Sequence, residues 1–117
     1  MRTRAQRNNN PINIEFAHQP DSCLEEGDHA RFACFSSPEA GWRAAHAQIK
    51  KDAGRGLTLK QFILKFAPPI ENDTTDYLEF VKKELGQGSD VLLSHISKYA
   101  LAGVMACWEG YYNNSII

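Results

Sequence analysis

The stretch YALAGVMACW, residues 99–108, constrains this chain more than any other, because as a helix it would be apolar on nearly every side. A helix without a polar face has to be surrounded by other elements. In a chain of 117 residues, about the size of one ordinary domain, the place for it is the middle. The pattern starts this helix after Asp90, and Gly103 is expected to let another element approach it closely.

Three further helices follow from caps and periodicity. Ser37-Pro38-Glu39 supplies an N-cap, a proline at the first helical position and an acid in the first turn. The helix is expected from Pro38 to about Asp52, with Ala40, Trp42, Ala45 and Ile49 inward, ending at Gly54-Arg55-Gly56. Thr58 caps a short helix carrying Leu59, Phe62, Ile63 and Phe66, which Pro68-Pro69 stops. A third begins at Asp73 or Thr74, places Tyr77, Leu78, Val81 and Leu85 at spacings of three and four, and ends at Gly86. Before Ser37 the apolar patches Ile12 to Phe16 and Ala30 to Phe35, separated by the turn-rich Gln19 to Asp28, predict a small β-hairpin. Residues 1–11 read as a tail entering a polar loop, with 1–7 a flexible tail. The expected architecture is a single mainly helical (α+β) domain over residues 1–117, with about four helices and an N-terminal hairpin.

Composition narrows the function. With 43% apolar and 23% charged residues and a net charge of −1, the chain is neither disordered nor polybasic, so nucleic acid is not an expected partner. Arg2, Arg4 and Arg7 cluster at the N-terminus, but no apolar run follows them; neither a signal peptide nor a membrane span is expected. Of the three cysteines, Cys107 is expected to pack as a small hydrophobe. Cys23 and Cys34 can bridge a hairpin or stay free. His18, Cys23, His29 and Cys34 alternate, but at spacings that match no usual zinc pattern, so no metal is assigned and no cofactor is implied.

Chemistry points to two places. The apolar helix runs into Glu109, where desolvation and the negative end of the helix dipole both favour a protonated carboxyl, the state of a general acid. Alternatively Glu109 leaves the core there and points into water, with Gly110 as the helix stop. The second place is APPIENDTTDY, residues 67–77, where Glu71 and Asn72 sit in a proline-fixed loop and Tyr77 falls one turn into a helix; a proline stop and a cap explain the same residues. RNNNPINI, residues 7–14, adds four amides and a proline in one loop. Such side chains build Asx turns, and they equally suit hydrogen bonding to neutral sugar hydroxyl and N-acetyl groups.

RNNNPINI, FACFSSPEAGWRA (residues 32–44) and FAPPIENDTTDY (residues 66–77) together resemble a family of small phage and prophage virion-associated peptidoglycan hydrolases. Its members read RNNNPGNI, then a phenylalanine-rich block ending in a proline-capped helix, then APPxENDTxxY, and finally a helix ending in HENG. The resemblance runs from Arg7 to Gly110. Ile12 stands where the family has glycine, so a positive φ there is lost or moved, Trp42 replaces a smaller aliphatic, and the closing motif is Trp108-Glu109-Gly110-Tyr111. The order of these pieces is also similar, more distantly, to lysozyme-like glucosaminidases in which the glutamate helix comes first, as if circularly permuted.

The resemblance implies a lysozyme-like domain that cleaves the peptidoglycan glycan strand, as a muramidase, lytic transglycosylase or glucosaminidase. It makes Glu109 the catalytic acid, with Tyr77 lining the site and Glu15 or Glu71 a candidate second carboxylate. Asn9, Asn10, Asn13, Asn72, Glu71 and Trp108 are then substrate-binding candidates. Without a second carboxylate, the substrate's own N-acetyl group or 6-hydroxyl would complete the reaction. Implied partners are peptidoglycan strands, with virion or secretion proteins or an immunity protein besides. The protein would be made in the cytoplasm and act in the periplasm or cell wall after delivery, or on the virion. A non-catalytic glycan-binding or structural component of a virion or secretion apparatus is the alternative.

Overall fold

Helix α5 (Lys98–Trp108) occupies the centre, with Leu101, Ala102, Met105 and Ala106 buried. In this computed structural model, which describes residues 2–67 and 74–112, it packs against α2 (Pro38–Gly54) and α4 (Thr74–Leu85). Helix α3 (Leu59–Phe66) packs on α4. Among the described residues a four-residue, single-turn helix α1 (Arg4–Arg7) and an antiparallel pair, β1 (Ser22–Leu24) and β2 (Ala33–Phe35), complete a mainly helical domain with a small hairpin. One core joins Ile12 and Ile14 to Ile49, Phe62, Ile63, Tyr77, Val81, Leu101 and Met105.

The helix ends follow their caps. Ser37 accepts from the Ala40 amide at the start of α2. Thr58 and Gln61 form a reciprocal capping box on α3, which satisfies two otherwise orphaned donors. No Cβ would meet another atom within 4 Å at Gly103, so the expected close approach is not there. It occurs at Gly41 on α2 instead, where a Cβ would lie 1.8 Å from the Asn9 carbonyl oxygen.

Helix α5 is shorter than the sequence pattern suggests. It starts at Lys98, capped by the Ser97 hydroxyl. The residues after Asp90 are spent on tying down the start of α3: the Val91 carbonyl accepts from the Leu59 amide, Leu92 bridges Thr58, and Leu93–His95 forms a single 3-10 turn. The helix is also only partly surrounded, because a domain this size has too few elements to cover every side. Tyr99, Cys107 and Trp108 are exposed, so Cys107 does not pack as a core residue.

Two expectations near the N-terminus are corrected. Residues 2–7, the described part of the stretch read as a flexible tail, are held in place: Thr3 and Gln6 form a capping box on α1, Ala5 is fully buried, and Thr3 and Gln6 donate to the Gly110 and Tyr111 carbonyls. Intrinsic propensity is too weak to hold so short a helix, and tertiary pairing supplies what it lacks. The hairpin's first strand lies within the stretch read as a turn, pairing Ser22 with Phe35, Cys23 with Cys34 and Leu24 with Ala33. Cys23 and Cys34 thus stand directly opposite each other as free thiols. The Ile12 to Phe16 patch runs instead along the other edge of the 31–33 segment, through the Glu15–Phe32 bridge and a bond from the Ala33 amide to the Ile14 carbonyl.

Candidate active site

The end of α5 fixes Glu109. The Tyr111 amide bonds back to the Ala106 carbonyl and the Gly110 amide to that of Cys107, with Gly110 at φ +84°. This is a Schellman closure, which requires the left-handed conformation that glycine adopts without strain. Glu109 is the C-cap residue of that turn, and its side chain returns toward the protein rather than pointing into water.

There the amide of Asn13 donates to Glu109 Oε1 at 3.0 Å. Burial pushes the Glu109 carboxyl above the usual carboxylate range, against the opposing hydrogen bond of Asn13, the Tyr77 hydroxyl and the charge of Arg31. The Tyr77 hydroxyl, fully buried, is in turn raised well above its usual value by desolvation and by the neighbouring carboxyl. Tyr77 and Glu109 are near enough to shift one another, yet the hydroxyl finds no partner of good hydrogen-bond geometry among the described residues; nor does Asn13 Oδ1. Buried polar atoms are nearly always paired, so these two stand out; both are covered, and Tyr77 lies behind Glu109 rather than among the residues that line the adjoining cleft.

A cleft of about 360 Å³ opens onto this point, lined by Asn13, Glu15, Arg31 and Glu109 on one side and by Gln48, Asp52 and Lys65 on the other. Its volume falls within the range of small-molecule sites. Glu15 lies on the rim, exposed and 3.9 Å from Arg31.

The remaining candidates separate. The four amides of the loop serve different ends. Asn10 is completely buried, donates to the Ile14 and Ala33 carbonyls and accepts from the Ile14 amide. Asn9 donates to the Phe35 carbonyl, and Asn8 donates to Glu25. These bonds clamp the loop to β2, and neither Asn9 nor Asn10 lines the cleft: the Asn10 amide is engaged internally at both its oxygen and its nitrogen, and Asn9 donates to Phe35. Of the loop's four amides Asn13 alone lines the cleft, beside Ile14. Asn13 takes the left-handed conformation at φ +54°, and Ile12, one residue before it, fills the core. Trp108 stacks on Tyr77 with ring centres 5.1 Å apart and also packs on Phe80. It braces Tyr77 from behind and does not line the cleft. Glu71 and Asn72 lie outside the described residues.

Sequence reasoning missed Asp52. It is fully buried at the end of α2, where Lys65 and Arg55 donate to Oδ1 at 2.6 and 3.1 Å and Gln48 to Oδ2 at 3.0 Å. Its carboxyl is held below the usual range: burial pushes it up, and the bonds from Lys65 and Gln48 with the charges of Lys65 and Arg55 outweigh that. One signal was available, since an acid in the last turn opposes the helix dipole and needs a compensating reason. The cleft therefore holds one carboxyl biased toward its protonated form and one toward its ionised form.

No protein-family model matches the chain. It is 34% identical over 90 residues to Protein P5 of Pseudoalteromonas phage PM2, a match covering 71% of this chain and 56% of that protein. The chain thus spans little more than half the length of the curated relative it matches. Among the described residues no helix is long and apolar enough to cross a membrane.

Proposed function

We propose that this chain is a peptidoglycan glycosidase of phage type, with Glu109 as the general acid. The observation that carries the reading is the desolvated Glu109 carboxyl at the inner end of the cleft, flanked by the unpaired Tyr77 hydroxyl and Asn13 carbonyl oxygen. A carboxyl raised by burial carries its proton at a pH where an ordinary carboxyl has lost it, and can deliver it to a glycosidic oxygen as the C1–O bond breaks. The Asn13 side chain, which lines the cleft, supplies an amide for a neutral sugar such as an N-acetylhexosamine, and the Tyr77 hydroxyl, buried behind the cleft, acts on the Glu109 carboxyl. The oxocarbenium-like carbon is then captured by water, or by the substrate's own 6-hydroxyl to give an anhydro end. Glu15 on the rim is the group placed to take the proton from an attacking water. The similarity to a phage protein supports the setting, and the order of sequence motifs supports the lysozyme-like class and action on the cell wall after delivery or from the virion.

The test is digestion of purified peptidoglycan by the wild-type chain and by Glu109→Gln, with mass analysis of released fragments. Release by wild type alone identifies the acid, and the new end group distinguishes hydrolysis from transglycosylation. If neither releases fragments while both sediment with the glycan, the chain is a glycan-binding virion component.

A further inference from the structure

Four of the cleft's lining side chains, Arg31, Lys51, Arg55 and Lys65, are cationic, and three, Glu15, Asp52 and Glu109, are acidic. With Glu109 held toward its neutral form, the cleft is a basic region on a chain whose net charge is −1. Lys51, Arg55 and Lys65 all line the cleft, and they are not scattered surface lysines. The Asp52 carboxylate, 1% exposed, draws Lys65 of α3 and Arg55 beyond α2 to the same oxygen, while those two side chains remain 47% and 53% exposed. An ion pair with its anion inside and its cations at the surface presents its positive end outward. The ammonium and the guanidinium each spend one N–H on Asp52 and keep others for a ligand. Lys51, one residue before Asp52, is exposed beside them.

We propose that Arg55 and Lys65, positioned by Asp52, form with the neighbouring Lys51 a subsite for carboxylate groups carried on the glycan strand. The inference rests on the glycan reading of the cleft and narrows its substrate: a strand bearing carboxylates is selected over a neutral one. Guanidinium and ammonium groups recognise carboxylates through charge-assisted hydrogen bonds, and pre-positioning by Asp52 removes part of the ordering cost. In peptidoglycan the carboxylates come from two sources, the peptide stems and the lactyl group left when a stem is removed.

The test measures binding to the full chain carrying Glu109→Gln, so that substrate persists, using three probes: stem-bearing glycan strands, stem-free strands that keep the lactyl carboxylate, and a neutral N-acetylglucosamine oligomer. Stem-bearing strands are expected to bind about tenfold more tightly than the neutral oligomer, with the difference shrinking as salt rises. Adding Lys51→Gln and Arg55→Gln is expected to abolish that difference and leave neutral-oligomer binding unchanged. The stem-free strand assigns the source: affinity equal to that of the stem-bearing strand makes the lactyl group the ligand, and affinity near that of the neutral oligomer makes it the stem. Equal affinity for all three probes, or equal weakening of all three by the substitutions, overturns the subsite and leaves the glycan reading intact. Absence of binding to every probe overturns both. Lys51→Gln alone, at a side chain that holds nothing else in place, guards against a folding defect from Arg55.

Discussion

Glu25 and Glu109 are two carboxyls drawn into the same small domain and treated in opposite ways. Glu25, 7% exposed at its side chain, pairs with Arg4 and accepts from the Asn8 amide and from the backbone amides of Arg31 and Phe32. The Arg4 hydrogen bonds hold it far below the usual carboxylate range, with Asn8 and the two backbone amides adding to the effect against desolvation. Glu109 accepts one bond, from Asn13, and burial holds it above that range. The loop amides divide along the same line. Asn8 and Asn10 sit in bonded surroundings, whereas Asn13 keeps an unpaired oxygen beside Glu109. A polar group whose bonds are all made within the protein holds the fold together, and one left with a vacancy is available to a substrate.

Exchanging the two acids for glutamine tests that division most sharply. Glu109→Gln is expected to reduce release of fragments from peptidoglycan by at least about 100-fold, with little loss of thermal stability, because it removes a charge from a site that disfavours it. Glu25→Gln leaves Arg4 without its counter-charge in a partly buried site and is expected to cost about 3 kcal/mol. In a domain this size that lowers the melting temperature by roughly ten degrees or more. Thermal melts of both variants decide the matter: a large fall for Glu109→Gln with none for Glu25→Gln would invert the assignment.

The scaffold side can be broken without touching a charge. Gly41→Ala puts a methyl group 1.8 Å from the Asn9 carbonyl oxygen, so either the asparagine loop or α2 must move. Overpacking of this kind is expected to cost about 2 kcal/mol, read as a shift in the denaturant midpoint. Because the same loop carries Asn13, catalysis should weaken along with stability. An alanine at the open Gly103 position should do neither harm.

The sequence disclosed the helices well, because their caps and stops are local: Ser37-Pro38, Thr58 and Gly86 act within a few residues of themselves. It singled out Glu109 and Tyr77, which the fold brings near one another, because an acid ending an apolar helix and a tyrosine on a helix's inner face are also local patterns. What it hid depends on distant partners. Helix α1 exists through Gly110, Tyr111 and Glu25, Asp52 becomes part of the cleft through Lys65, and the asparagines divide into pins and ligand only once β2 lies against them. No periodicity carries that information, since adjacent residues of one type differ only in what the fold brings to them.

Tyr77→Phe sharpens the comparison at smaller scale. The hydroxyl is buried and without a well-formed hydrogen bond, so deleting it removes a desolvation cost. Stability is expected to stay level or rise by up to about 1 kcal/mol. If the hydroxyl serves the substrate, turnover falls, by about tenfold, while the protein becomes no less stable. A stability loss instead would mean that Tyr77 bonds firmly to Glu109 in the free protein, and the vacancy would vanish.

The smallest effect is a difference in pH dependence, and its sign separates the two acids. Glu25, depressed in the folded state, contributes stability above its unfolded value of about 4.3, and that contribution is lost as pH falls through its lower folded value. Glu109, raised in the folded state, contributes most below its unfolded value, and its contribution declines as pH rises through the folded one. Melting temperature against pH should therefore fall steeply on the acid side and more gently on the neutral side, as pH rises through the folded value of Glu109. Glu25→Gln should shrink the acid-side fall without abolishing it, because Asp52 is depressed as well. Glu109→Gln should flatten the neutral-side decline and leave the acid side unchanged. A neutral-side slope that survives Glu109→Gln would show that the carboxyl ionises at its ordinary value, and the vacancy beside Tyr77 would then flank an anion rather than an acid.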